Sequence, residues 1–368
     1  MSDITLYVSV LGPSGAGKTS LLTSIFEETK KRLSGNATRI KFESKNEKTN
    51  ALICDSINKL HRAIADSPDK VRLQPQDGNG DIPIRFDFTL TSRGKASVDF
   101  SIVDYCGGWL GTSKFEEVAE FFELSEVVLV PIPTDLLLEM KKLGPSSKYY
   151  VALKNSLDIF NVITALDDWI SYRKNCGGTI IFSPIRCEHC FTDNINSEKI
   201  EGIIADLHEA VKEYYINALA EIPNNFDVKI HAVDTMGGVV HSKVNYSMSK
   251  NNIPIASSDF TILGEALKDK TVKLFQKQAF ELLMLIMKQC LLREKYNADT
   301  AKANAQKQIS SETIFTRWRH IFKTKEKITI MQSEEIIQKV SDALEPLNDM
   351  YHGSYDRERT KRQILEGE

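Results

Sequence analysis

Eight residues near the N-terminus constrain this chain more than any others: Gly12-Pro13-Ser14-Gly15-Ala16-Gly17-Lys18-Thr19. They fit the phosphate-loop pattern of Gly, four residues, Gly, Lys and Ser/Thr, which has meaning only between a strand and a helix. An apolar run from Ile4 to Leu11 precedes them, and Leu21, Leu22, Ile25 and Phe26 follow at helical spacing, with Ser34-Gly35 as a stop. The predicted order is therefore strand, glycine loop, helix. In that order the glycines let backbone N–H groups close around an anion while the positive end of the helix dipole faces it. The expected phosphate-binding set is Gly12, Pro13, Ser14, Gly15, Ala16, Gly17, Lys18, Thr19 and Ser20. Lys18 would bridge the β- and γ-phosphates, and the Thr19 hydroxyl would sit on Mg²⁺, a hard cation that prefers oxygen.

At 368 residues the chain exceeds a typical single core, so either one elaborated domain or two are expected. The net charge of −3 gives no global argument for a nucleic-acid or membrane partner. Apolar runs fall far short of the roughly 18 residues a membrane span needs, and no basic segment with an apolar signal region opens the chain; both point to the cytoplasm. The six scattered cysteines are accordingly read as thiols.

Along the chain the sequence predicts a short strand over 38–44, a helix over 46–65, a polar loop over 67–81, and a hairpin of Ile82–Leu90 with Val98–Ile102. Val127–Ile132 and Thr179–Pro184 are continuously apolar, the signature of buried parallel strands. Tyr149–Tyr172 reads as one long helix, Ser197–Ala220 as another, and Asp227–Val233 as the last strand. From about Gly264 strands stop, and helices are expected at Lys270–Tyr296, Glu312–Phe322 and Ser333–Leu347. The predicted division is a phosphate-loop domain over 1–260, with a helical insertion near 45–80, and a helical region over 261–368. The stretch Arg293–Lys327 holds nine Lys or Arg against four acids. It reads as a solvated helix face or, failing that, as a contact surface for an anionic partner or a second copy of the chain.

Phosphate loops serve kinases, transporter ATPases and GTPases alike, so further residues must choose. The second hairpin strand ends in Val103-Asp104-Tyr105-Cys106-Gly107, an Asp-x-x-Gly spacing placed as in the Ras-like plan. Asp104 would hold Mg²⁺ through water, and the Gly107 N–H could approach a γ-phosphate unobstructed by a side chain. Lys18, Thr19, Asp104 and Gly107 form the candidate catalytic set, with Thr19 and Asp104 as metal residues. Base recognition is expected after the last strands. Arg186 and Glu188 follow Pro184-Ile185, and a carboxylate such as Glu188 can accept two hydrogen bonds from guanine N1 and N2 while an Arg186 stem covers the base. Asp234 and Thr235, after the final strand, complete the set. Ile185 lacks the polar group that would tie this loop to the phosphate loop. Cys187-Glu188-His189-Cys190 is half of a zinc pattern without a second close pair. Two parts are missing: no Thr stands between Asn50 and Ile84 as a switch ligand, leaving Ser67, a backbone carbonyl or a partner's residue for that place, and Gly108 occupies the position of the water-orienting Gln.

Together these residues resemble the translation-factor-related class of P-loop GTPases. Within it, Asp104-Tyr105-Cys106-Gly107-Gly108-Trp109-Leu110 and Arg186-Cys187-Glu188 look like the bacterial double-GTPase families of conflict and antiviral systems. The resemblance covers about Ile4 to Val240. It implies an α/β fold with a mostly parallel sheet, one antiparallel hairpin strand and a C-terminal helical appendage. It also implies GTP or GDP with Mg²⁺ as ligands and a slow, regulatory GTPase gating a protein partner or effector. An ATP-dependent ATPase, a nucleotide kinase and a nucleotide-dependent assembly protein with negligible hydrolysis remain as alternatives.

Overall fold

A computed structural model describes residues 4–33, 40–66, 83–92, 96–117, 119–187, 197–233, 235, 239–262, 278–310, 326–345 and 347. Seven strands form one sheet in the order β2-β3-β4-β1-β5-β6-β7: β1 Thr5–Val10, β2 Ile40–Ser44, β3 Ile84–Ser92, β4 Ala96–Asp104, β5 Val127–Pro133, β6 Gly178–Ile185 and β7 Phe226–Ile230. Only β3 runs against its neighbours; β4, β1, β5, β6 and β7 are parallel. The fold is thus an α/β fold of Ras-like topology with an extra edge strand, β2. Every residue of β5 and β6 is buried, as continuous apolar runs in parallel strands require. The hairpin instead alternates: Phe86, Phe88, Leu90, Val98, Phe100 and Ile102 face the core, while Asp87, Thr89, Asp99 and Ser101 form a hydrogen-bonded polar face.

Helices cover both sides. On one lie α1 (Lys18–Leu33) and a long helix near the C-terminus, α9 (Ala279–Ser310), with α10 (326–345). Leu21 and Ile25 share a core with Leu283, Met287, Val340 and Leu344 against Leu6, Val8 and Leu129. The other side is built from α5 (Thr134–Leu143), α6 (Tyr150–Leu157), α7 (Ile159–Tyr172) and α8 (Ser197–Tyr214), whose Leu137, Leu153, Leu166 and Leu207 pack on Val128, Val130 and Phe182. The remaining helices are α2 (Glu47–Asp66) and the short α3 (Ser113–Glu117) and α4 (Ala119–Leu124).

Several expectations need correction. Tyr149–Tyr172 is two helices, because Asp158 takes a left-handed φ of 46° that ends α6 and starts α7. Helix α8 stops at Tyr214 and a 3₁₀ turn, Ile216–Ala218, carries the chain on. Strand β7 ends at Ile230, although Val233 makes one parallel bridge to Ile185. It is also not the last strand: β8 (Val239–Met248) and β9 (Pro254–Ile262) form a separate antiparallel hairpin. Helix α9 runs on to Ser310, and α10 begins at 326 rather than 333. The expected loop over 67–81 and helix over 312–322 lie outside the described residues.

Candidate functional site

The glycine loop joins β1 to α1 and needs its glycines. Gly15 and Gly17 have φ of 76° and 97°, a region L-residues avoid, and a Cβ on Gly17 would also lie 2.6 Å from Ile185 Cδ1. The Ala16 N–H donates to Pro13 O at 3.2 Å and the Leu21 N–H to Gly17 O at 2.9 Å, so the loop turns directly into the helix. Gly12 and Pro13 are buried, whereas Ser14 and Gly15 open to solvent. Ser20 is buried in the first turn, where its carbonyl accepts the Ser24 hydroxyl at 2.8 Å.

Lys18 is 8% exposed. Its Nζ donates to Gly12 O at 2.8 Å and Pro13 O at 3.0 Å, so the ammonium folds back onto the loop it serves. Burial lowers its pKa, with Asp104 and then Cys106 opposing. Asp104, at the end of β4, is buried too, and burial pushes its carboxyl up to about 6 against the pull of Lys18. Desolvation thus exceeds the mutual attraction for both partners. Among the described residues Asp104 Oδ1 is buried without a hydrogen-bond partner, a costly condition for a carboxylate. Thr19, half-buried, follows Lys18 in the same turn.

Gly107 lies directly on the phosphate loop. A Cβ there would fall inside the Ser14 amide nitrogen and the Pro13 carbonyl group, so only glycine permits the approach. Gly107–Trp109 forms a 3₁₀ turn, anchored from below by buried Tyr105 packed edge-on against Phe115 and Phe122. Gly108 is exposed, with nothing within 4 Å of a Cβ. The Asp-x-x-Gly segment and the glycine loop, some ninety residues apart in sequence, are one structure.

The loop after β6 reaches the same place. Arg186, with a left-handed φ of 62°, donates from Nη2 to Gly15 O at 2.9 Å. Ile185 cannot make a polar tie, and its neighbour makes one instead. The tie needs both a long, multidentate guanidinium and a left-handed backbone, and the sequence pattern announces only the first. Cys187 is buried, 3.1 Å from Thr134 Oγ1. Thr235 is buried against α1, its carbonyl accepting the Ser24 hydroxyl at 2.6 Å. Glu188, His189, Cys190, Asp234 and Ser67 lie outside the described residues. Among the described residues no group of three or more His, Cys, Asp or Glu could hold a metal by itself.

The strand order, the glycine loop after β1 and the Asp-x-x-Gly turn at the end of β4 define a P-loop fold of the Ras-like GTPase type. No protein-family model matches the sequence, and no curated protein matches it. Among solved structures it is similar to the Ski7 GTPase-like domain of S. cerevisiae bound to GTP, at 15% identity and a TM-score of 0.30. It is also similar to that domain bound to GDP and inorganic phosphate, at 15% identity and a TM-score of 0.26. Each comparison covers 62% of this chain and 43% of the other, so the chain matches less than half the length of those structures. Among the described residues no helix is long and apolar enough to cross a membrane.

Proposed function

We propose that the chain is a Mg²⁺-dependent guanine-nucleotide switch that hydrolyses GTP slowly and signals to a protein partner. The observation that carries the reading is that Lys18 and Asp104 are both buried at the glycine loop, with Asp104 Oδ1 left without a hydrogen-bond partner among the described residues and Gly107 pressed on Ser14. A buried carboxylate oxygen without a donor is expensive, and a divalent cation with its water is the kind of partner that would satisfy it.

The residues present fit that cation: an oxygen-only set of Asp104 and the Thr19 hydroxyl beside a phosphate loop suits Mg²⁺ rather than a softer metal. When bound, Mg²⁺ neutralises charge on the β- and γ-phosphates. Lys18 exchanges the Gly12 and Pro13 carbonyls for phosphate oxygens, a swap of neutral for charge-assisted hydrogen bonds. Gly107 then moves with the phosphate it faces, since its contact with Pro13 and Ser14 occupies the rim of the loop. Arg186 and Glu188 recognise the base, with a backbone N–H at Asp234-Thr235 meeting the guanine O6. Similarity to the double-GTPase families extends the reading to an effector gated in bacterial antiviral defence.

A melting panel of GTP, GDP, ATP and ADP, each with and without Mg²⁺, tests this. A ligand at about 100 times its dissociation constant adds roughly 2.7 kcal/mol. The shift should appear with guanine nucleotides and be lost in Lys18→Ala. Glu188→Ala should cost GTP and GDP about 1.5 to 3 kcal/mol, the scale of a hydrogen bond to a charged group, and leave ATP unchanged. Equal shifts with ATP and GTP would sink the base assignment and favour an ATPase.

A second reading, an assembly protein that barely hydrolyses, is favoured by Gly108, which offers no side chain to orient water. Turnover by dilute protein is expected well below about 1 per minute, rising with a partner or self-association that supplies an arginine. Turnover near 1 per second, independent of protein concentration, would reveal a complete site in cis and defeat both slow readings.

A further inference from the structure

Hairpin β8–β9 is tied down at both ends. Its distal half sits on α5 and α6. There Asn155 donates to Pro254 O at 3.0 Å, the Ala256 N–H donates to Ser156 Oγ at 2.7 Å, and Tyr246 stacks on Tyr149 at 4.1 Å between centroids. Its proximal half meets Arg186. The Phe260 ring lies 5.3 Å from the guanidinium, and the Ser258 hydroxyl donates to Asp135 Oδ2, which stands 3.8 Å from Arg186 Nη1. Asp135, in the first turn of α5, has a fully buried side chain whose Oδ1 has no hydrogen-bond partner among the described residues. The same guanidinium donates to Gly15 O at the open tip of the glycine loop.

We propose that Asp135, Ser258 and Phe260 are positioning residues that hold Arg186 on the phosphate loop, so that hairpin β8–β9 senses what the loop holds. The geometry stands by itself; only the identity of the ligand rests on the nucleotide reading above. Arg186 sits in a backbone conformation unfavourable to a side chain and so depends on its contacts to stay there. Those contacts are unlike one another: a carbonyl on the loop, a buried carboxylate in α5 and an aromatic face in β9. Asp135 needs the Arg186 charge, because a buried carboxylate with one unpaired oxygen is unfavourable alone. A ligand that reorients Gly15 therefore shifts the balance among the three contacts, and by linkage a change in the hairpin residues that hold Arg186 changes affinity for the ligand.

The test has two arms. In ligand-free protein, Arg186→Ala should speed hydrogen exchange of the 255–260 amides about tenfold, while the central strands keep their protection. Unchanged exchange there overturns the proposal whatever the ligand. In the second arm, Mg²⁺-GDP is titrated into Ser258→Ala, Phe260→Leu and Asn155→Ala. The first two should weaken binding about three- to tenfold, the scale of one cation–π or charge-assisted contact, because Leu keeps the bulk but not the ring face. Asn155→Ala loosens the distal end and should leave affinity unchanged. Bound Mg²⁺-GDP should slow exchange of the hairpin in wild type but not in Arg186→Ala. Equal weakening by all three variants, or by none, overturns the proposal while leaving nucleotide binding intact. Absence of any wild-type melting shift defeats the nucleotide reading instead, and the ligand-free arm still decides whether the hairpin and Arg186 hold each other.

Discussion

At the scale of single residues, Asp104 sets the role proposed for it against the stability of the fold. Its folded pKa, about 6, lies above the ordinary value of 3.8 because burial disfavours the charge. The folded state therefore holds the proton more tightly than the unfolded chain. The resulting cost is absent below about pH 3.8 and fully present above about pH 6. Asp104→Asn should accordingly raise the melting temperature of ligand-free protein at pH 8 by ~2 °C, the scale of about 1 kcal/mol in a large domain. The gain should close toward pH 4, and the Mg²⁺-dependent shift with nucleotide should vanish. A melting temperature at pH 8 that falls instead would mean that Asp104 is net stabilising and that its orphaned oxygen has no functional reading. Spacing alone brought Asp104 and Lys18 to attention, since Asp-x-x-Gly and the glycine loop have fixed patterns. The Arg186 tie was not legible, because it depends on a left-handed backbone at a non-glycine residue, which no sequence pattern announces.

Among the elements, α9 repays attention because sequence reasoning set it apart from the phosphate-loop domain. The apolar cluster from Leu282 to Met287 was visible as helix, but a helical pattern does not say which surface it covers. In the fold Leu282, Leu283, Ile286 and Met287 are at most 1% exposed and share a core with Leu21, Leu22 and Ile25 of α1. The helix carrying the glycine loop thus rests on α9. Leu283→Ala should cost about 2 to 5 kcal/mol by denaturant unfolding, the range for a leucine removed from a packed core, with one unfolding transition. A loss below about 1 kcal/mol, or a separate early transition, would make α9 an independent layer. The β8–β9 hairpin was missed for a different reason. Val244, Tyr246 and Met248 alternate as a strand should, and Lys250-Asn251-Asn252 before Pro254 is turn-like. The Ras-like plan ends at the strand before it, so the template outweighed the alternation. Asp158 defeated the helix prediction because Asp is tolerated both inside helices and in left-handed caps, and only packing decided between them.

Across the whole molecule, buried carboxylates stand toward both ends of the sheet. Asp104 ends β4 beside the glycine loop, and Glu126 precedes β5 at the opposite end, where its Oε2 accepts the Tyr7 N–H at 2.6 Å. Burial pushes Glu126 up to about 7, with Arg173 pulling it down and Glu294 pushing it further up. Arg173 itself donates to the carbonyls of Gly177, Glu123 and Leu124, and the neighbouring Cys290 thiol of α9 is pushed well above its usual range by burial and by Glu126. This floor joins α7, β5 and α9, and its state of charge depends on pH. Because the folded pKa of Glu126 exceeds its ordinary 4.5, its contribution to stability is greatest below about pH 4.5 and falls as pH rises through 7. The loss is on the order of 2 to 3 kcal/mol across that window. Other carboxylates titrate too, so the informative quantity is the difference between wild type and Glu126→Gln, whose amide oxygen can still accept the Tyr7 N–H. That difference should favour the variant progressively from pH 5 to pH 8, measured by denaturant unfolding without nucleotide. Parallel stability curves for the two proteins across that range would show that Glu126 is neutralised by Arg173 in the fold and that the floor of the sheet is not pH-sensitive.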